Sequence, residues 1–157
     1  MLRPSQELAI DVCTICVKTL KDRSSRERSI FKKVGEVPEV RALKQGAYAG
    51  DFRRIQYESD TATIVGTLQS ALKDMVRPLM ADVYDAIVCL DDDSGDAIDA
   101  ARDALSQLQP AEFALTQACF LLLHQVSASA NNEVDAAEVS RVMGPYLCRP
   151  TGTAFMS

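Results

Sequence analysis

The sequence predicts an all-α domain, a helical bundle of about seven helices. Apolar residues recur at three- and four-residue spacing in one segment after another. No stretch alternates convincingly as a half-buried strand does, and capping residues, Pro and Gly fall where those segments start and stop. With 157 residues, 47% hydrophobic and 25% charged, the chain has the size and composition of a single folded domain spanning residues 1–157. At this length a domain buries about 68–70% of the surface its unfolded chain exposes, enough for a real core.

Pro4-Ser5 opens the first helix, where Leu8, Val12, Ile15, Val17 and Leu20 are the apolar positions. The charged stretch from Lys21 to Ser29 ends it. Between Gly35 and Gly46, Pro38 suits a first helical turn and Val40 shares a face with Leu43. Gly46 to Ser59 reads as a loop, since Phe52 to Tyr57, the best strand candidate, is short and alternates poorly. Asp60 can cap a helix running to about Met75, with Ile64, Leu68, Ala71, Leu72 and Met75 inward and Pro78 past its end. Val83, Tyr84, Ile87 and Val88 mark another helix, closed by the acidic turn Asp91 to Gly95. Ile98, Ala101, Leu105 and Leu108 form an amphipathic stripe before Pro110. Phe113 to Val126 is apolar almost all round, the mark of a central helix wrapped by others. Asp135 and Glu138 have capping-box spacing ahead of Val139, Val142 and Met143, and Gly144-Pro145 then stops that helix.

Several function classes are excluded on the same grounds. The longest apolar run, Ala118 to Leu123, falls far short of the ~20 residues needed to cross a bilayer. No signal-peptide segment opens the chain, so no transmembrane segment and a cytoplasmic address are expected. Five cysteines are an odd number set among hydrophobic neighbours, which fits reduced, mostly buried thiols. Cys13-x-x-Cys16 lies on a helix facing the core, with no second pair or nearby His, so it reads as packing rather than a metal or redox site. The net charge of -5 argues against a nucleic-acid partner, although residues 18–33 hold seven Lys/Arg and only two acids. Asp91 to Asp96 fails as a calcium loop, because Asp96 and Arg102 stand where Gly and Glu are required. His124 follows three leucines and reads as part of a packed helix. No phosphate-binding loop, dinucleotide fingerprint or nucleophile triad exists with enough members, so an enzyme in its own right is not expected, nor a metal or cofactor.

Five blocks in order carry a family resemblance. Arg28-Ser29-Ile30-Phe31-Lys32-Lys33-Val34-Gly35 resembles the E-G-I-F-R-x-S-G segment of the Rho GTPase-activating (RhoGAP) domain family. Val40-Arg41-Ala42-Leu43 is similar to its V-x-x-L helix, and Asp60 to Leu79 to its D-x-H-x-V-A-x-L-L-K-x-F-L-R-E-L-P-E-P-L helix, with Val83-Tyr84 at its L-Y position. Pro110 to Val126 resembles the P-x-x-N helix that ends in H-L. Asn132-Glu133-Val134, followed by Val139 to Pro150, resembles N-K-M … G-P-x-L-L-R-P. The resemblance spans about Leu8 to Pro150 and agrees with the helix count. Only seven residues follow Pro150, whereas the family has at least one more helix, so a C-terminal helix is expected to be missing.

The resemblance implies an activator that inserts an arginine beside the transferred phosphoryl group of a partner, a contribution of ~10³–10⁵ in rate. The finger position here is Lys32, which carries the charge without the planar fork that spans two oxygens. Arg28 and Lys33 flank it as alternative cations. The family's docking lysine corresponds to Gln69, the arginine supporting the finger loop to Lys73, and the partner-touching asparagine to Glu138. The implied partner is a GTP-bound Rho-family small GTPase, which brings its own nucleotide and Mg²⁺. Replaced contact residues on a retained core imply weak stimulation of hydrolysis. The alternative is a pseudo-GAP adaptor that binds without accelerating.

Overall fold

Ser5 begins the first helix as the sequence requires: its hydroxyl accepts from the Leu8 amide at 3.1 Å. The computed structural model describes residues 4–27, 30–83, 96–128 and 136–147. Among them are seven α-helices: α1 (Gln6–Ser24), α2 (Val37–Tyr48), α3 (Arg53–Tyr57), α4 (Thr61–Asp74), α5 (Ala97–Leu105), α6 (Pro110–Ala128) and α7 (Ala136–Leu147). A 3₁₀ turn covers Ala81–Val83, and there is no strand among the described residues. The fold is all-α. The helix expected around Tyr84 to Val88 and the acidic turn after it lie outside the described residues, as do Asp135 and the segment after Leu147.

α1 buries Ala9, Val12, Cys13, Cys16 and Leu20, positions that share one face at helical spacing, and packs that face against α4 and α6. α4 is the central helix. Ten of its 14 residues are buried, because α1, α2 and α7 all pack on it. Two of its buried hydroxyls are satisfied locally: Thr67 donates to the Thr63 carbonyl at 2.8 Å, and Thr63 to the Asp60 carboxylate at 2.7 Å.

Four sequence expectations need correction. The helix from Phe113 to Val126 is not wrapped all round: α6 buries the stripe Leu115, Cys119, Leu122 and Val126 against the bundle and leaves Phe113, Phe120 and Leu121 exposed. His124 on the same helix is also exposed. Ile98 does not join the core stripe. It is 73% exposed and lines, with the bare face of α6, an apolar groove of about 440 Å³. The loop from Gly46 to Ser59 contains helix α3, which five residues of weak pattern could not announce, and its Ile55 is fully buried. Finally, α7 runs through Gly144-Pro145 to Leu147. Proline in a helix interior costs about 3 kcal/mol, but Pro145 stands in the last turn, and the buried Leu147 with the half-buried Tyr146 hold that turn against the bundle.

Polar ties fix the helix ends. The Arg23 guanidinium donates to the Thr61 hydroxyl at 3.1 Å and to the Glu58 carbonyl, while Thr61 donates to the Glu27 carboxylate at 2.6 Å. At the other end of α1, the Gln6 amide pairs twice with the Arg77 backbone, at 2.9 and 3.2 Å. The Arg77 side chain in turn reaches the buried Glu112 carboxylate of α6.

Cys13, Cys16 and Cys119 are buried free thiols between α1 and α6; Cys89 and Cys148 lie outside the described residues. Burial pushes Cys119 up to about 12, and burial first, then neighbouring thiols, holds Cys13 and Cys16 well above the ordinary thiol range. Above about pH 8.5 the unfolded chain loses these protons while the folded chain keeps them, so stability falls as pH rises. Urea unfolding between pH 8 and 10 is expected to show a loss of up to about 1.4 kcal/mol per pH unit for each thiol, with a shallower slope in Cys119→Ala.

Candidate functional site

The segment between α1 and α2 alternates inward and outward residues in a way that fixes its course. Ile30 and Phe31 are buried, at 4% and 1% exposure; Lys32 and Lys33 are exposed; Val34 is half exposed. Burying a side chain such as Phe31 stabilises by about 1.5–3 kcal/mol, so the first two residues pin the loop while the two lysines face outward. Arg28 lies outside the described residues.

Two glycines seat the far end of this loop on α4. The Gly35 amide donates to the Ala62 carbonyl at 2.8 Å, and a Cβ at Gly35 would meet the Thr63 Cα at 2.6 Å and its nitrogen at 2.8 Å. A Cβ at Gly66 would meet a Val40 methyl at 2.5 Å and a Val34 methyl at 3.1 Å. At Gly35 the backbone can lie this close to α4 only because the side chain is missing, while Gly66 leaves room for the side chains of Val34 and Val40.

Beside this seat, α2, α4 and α7 enclose an open groove of about 300 Å³. Val34 and Gly35 form one lip, Gln69 and Lys73 the floor, and Tyr146 of α7 the far side. The structure therefore brings Gln69 and Lys73 together with the loop that carries Lys32 and Lys33. Gln69 is only 7% exposed, and its amide donates to the Val142 carbonyl of α7 at 3.2 Å. Lys73 is half-buried, and Glu138 is exposed on α7, one turn before Val142.

The groove includes residues that the sequence reading did not single out. Val37, Arg41 and Lys44 line it from α2, and Ser70 from α4. The signal was present as spacing: 37, 41 and 44 share one face of a helix, as do 66, 69, 70 and 73. What the sequence lacked was any statement that those two faces meet.

A polar clamp holds the two helices at that distance. Lys44 donates to the Asp74 carboxylate at 2.8 Å and to the Ser70 hydroxyl at 2.7 Å, and the Tyr48 hydroxyl donates to the same carboxylate at 3.0 Å. Burial first, and the Asp74 charge second, hold the Tyr48 phenol well above its usual range. It stays a neutral donor at any physiological pH.

The family model for the RhoGAP domain matches residues 11–152 of this chain. The chain belongs to the RhoGAP domain family. It is 24% identical over 141 residues to Rho GTPase-activating protein 22 of Mus musculus, covering 86% of this chain and 20% of that protein. It is 24% identical over 135 residues to Rho GTPase-activating protein gacY of Dictyostelium discoideum, covering 83% and 19%. Over 149 residues it is 23% identical to Bargin of Homo sapiens, covering 92% and 22%. The chain thus spans about a fifth of the length of these curated relatives.

Chemically, the site of this RhoGAP domain offers cations and hydrogen-bond donors. Among the described residues no group of His, Cys, Asp and Glu side chains has metal-holding geometry, and no helix is long and apolar enough to cross a membrane.

Three predictions test the geometry. Gly35→Ala is expected to destabilise the domain by about 1–3 kcal/mol in urea unfolding, because the new Cβ collides with backbone. Gly46→Ala meets only the movable end of Arg54 and is expected to be neutral or stabilising by up to about 1 kcal/mol. Asp74→Ala leaves Lys44 without a counter-charge and Tyr48 without its acceptor. We expect a loss of about 1–3 kcal/mol, and a Lys44→Met/Asp74→Ala cycle with a coupling of about 0.5–3 kcal/mol.

Proposed function

We propose that this RhoGAP domain regulates GTP hydrolysis by a Rho-family small GTPase in signal transduction, engaging its GTP-bound form. The loop of residues 30–35 is the element presented to the nucleotide, with Lys32 in the finger position and Arg28 and Lys33 beside it. Gln69, Lys73 and Glu138 line the docking face. The observation that carries this reading is the pinned loop. Phe31 is buried, Gly35 is seated on α4, and the two lysines between them face outward beside the groove that holds Gln69 and Lys73.

The mechanism needs no covalent step from this chain. An inserted cation neutralises charge that develops on the transferred phosphoryl group, so it lowers the transition state more than the bound ground state. Lys32 supplies a point charge where an arginine would supply two parallel donors, so its stimulation is weak. The GTPase supplies nucleotide and Mg²⁺.

A second reading, a pseudo-GAP adaptor that binds without accelerating, draws support from one observation. Gln69 is buried and its amide is committed to the Val142 carbonyl, which withdraws it from a partner.

Single-turnover GTP hydrolysis with a panel of Rho-class GTPases separates the two. The activator reading expects roughly tenfold acceleration by the wild type, loss of it in Lys32→Ala and a larger rate in Lys32→Arg, one decade being about 1.4 kcal/mol of barrier. Measurable affinity with no acceleration by the wild type supports the adaptor instead.

A further inference from the structure

The groove between α2 and α4 carries an excess of positive charge in a chain that is acidic as a whole. The protein has 22 Asp and Glu against 17 Lys and Arg, yet Arg41, Lys44 and Lys73 line the groove and no acidic residue does. Lys44 is neutralised by Asp74, which lies beneath it at 2.8 Å. Arg41 is different: it is exposed, and no hydrogen bond or ion pair holds it among the described residues.

Its surroundings are those of a contact rather than of a solvated charge. Val37, four residues earlier on the same face of α2, is 67% exposed, and Val34 on the adjoining lip is 49% exposed. Two uncovered valines beside an unpaired guanidinium make a patch that an incoming side chain would dry, strengthening the charge contact inside it. At about 300 Å³ the groove lies at the bottom of the ~300–1,000 Å³ range of small-molecule pockets, and it is open. It suits a protruding side chain better than a nucleotide. Of the two floor residues, Gln69 is neutral and already bonded to Val142 and Lys73 is half-buried, whereas Arg41 on the opposite wall is exposed.

We propose that this groove receives an acidic side chain of the partner GTPase and that Arg41 is the cation that anchors it. This inference rests on the reading of the domain as a Rho-class GTPase binder. The guanidinium fork pairs with a carboxylate by two parallel N–H donors, and Val34 and Val37 cover the pair from water.

The test is equilibrium binding of the chain to Rho-class GTPases loaded with a non-hydrolysable GTP analogue, at two salt concentrations. Arg41→Ala is expected to weaken binding about ten- to a hundredfold, and Arg41→Glu further still. Arg41→Lys should recover only part of the loss. Arg102→Glu makes the same change in net charge on α5, away from the groove, and should leave affinity within about twofold. Arg41 is exposed and unpaired, so the thermal midpoint of its variants should match the wild type, which separates lost contact from lost fold. Replacing acids on the GTPase surface one at a time with Lys should reveal one that restores binding to Arg41→Glu. Undiminished binding by Arg41→Glu overturns the inference and leaves the functional reading standing. Equal losses in Arg41→Glu and Arg102→Glu also overturn it, because long-range charge would then suffice. If the wild type binds no Rho-class GTPase at all, both fall together.

Discussion

Two missing side chains hold the functional end of this molecule in place. At Gly35 the backbone of the α1–α2 connection comes so close to α4 that a Cβ would overlap the Thr63 backbone, and at Gly66 of α4 a Cβ would overlap the Val40 side chain of α2. The Gly35 amide bonds directly to the α4 backbone, which fixes the end of the loop that carries Lys32 and Lys33. Because Ile30 and Phe31 anchor the other end of the same short segment, the two lysines between have little freedom in where they emerge. A loop tied at both ends has already lost the entropy that a free loop would lose on docking. On the proposed reading, the apolar pin and the glycine seat are therefore part of how the loop is presented.

The bundle behind the loop is organised by α4, whose buried polar side chains are all used locally or across a helix contact. Arg23, Glu27 and Thr61 join the end of α1 to the start of α4, while Gln6, Arg77 and Glu112 join the start of α1, the segment after α4, and α6. Each tie satisfies a group that would cost about 1–3 kcal/mol if buried alone. Such ties are worth little as net stability, but they disfavour a shift of one helix along another. Lys44, Asp74, Tyr48 and Ser70 do the same between α2 and α4, and so set the width of the groove beside the loop.

Core and contact surface follow different chemistry in this RhoGAP domain. The packing positions of the motifs, Ile30, Phe31, Leu72 and Leu79 among them, are buried and apolar, and changing them would open cavities. On the proposed reading the contact positions are the exposed Lys32 and Glu138 and the half-buried Lys73, with the buried Gln69 lining the same groove, and these are the positions where the sequence departs from the family motifs. A fold tolerates that kind of change because exposed charges contribute little to stability. In the proposal made above, Arg41 fits the same pattern, an exposed charge offered to a partner.

Helix identity and core composition were legible from the sequence because they depend on residues three and four apart. Ser5 as a cap, the inward set Ile64, Leu68, Ala71, Leu72 and Met75, and the burial of Val40 with Leu43 are all local-pattern facts. The order of the motifs disclosed the family, and with it the loop. The sequence did not reveal that α4 rather than α6 is central, that α3 is helical, or that α7 continues past Pro145. Each of these depends on packing against segments distant in the chain. The groove and the fate of Gln69 belong to the same class: its partner, Val142, is 73 residues away, and only the tertiary structure brings that carbonyl within reach. Local periodicity determines which face of a helix is apolar, whereas contact between distant helices decides which of those faces are covered and what charge is left beside them.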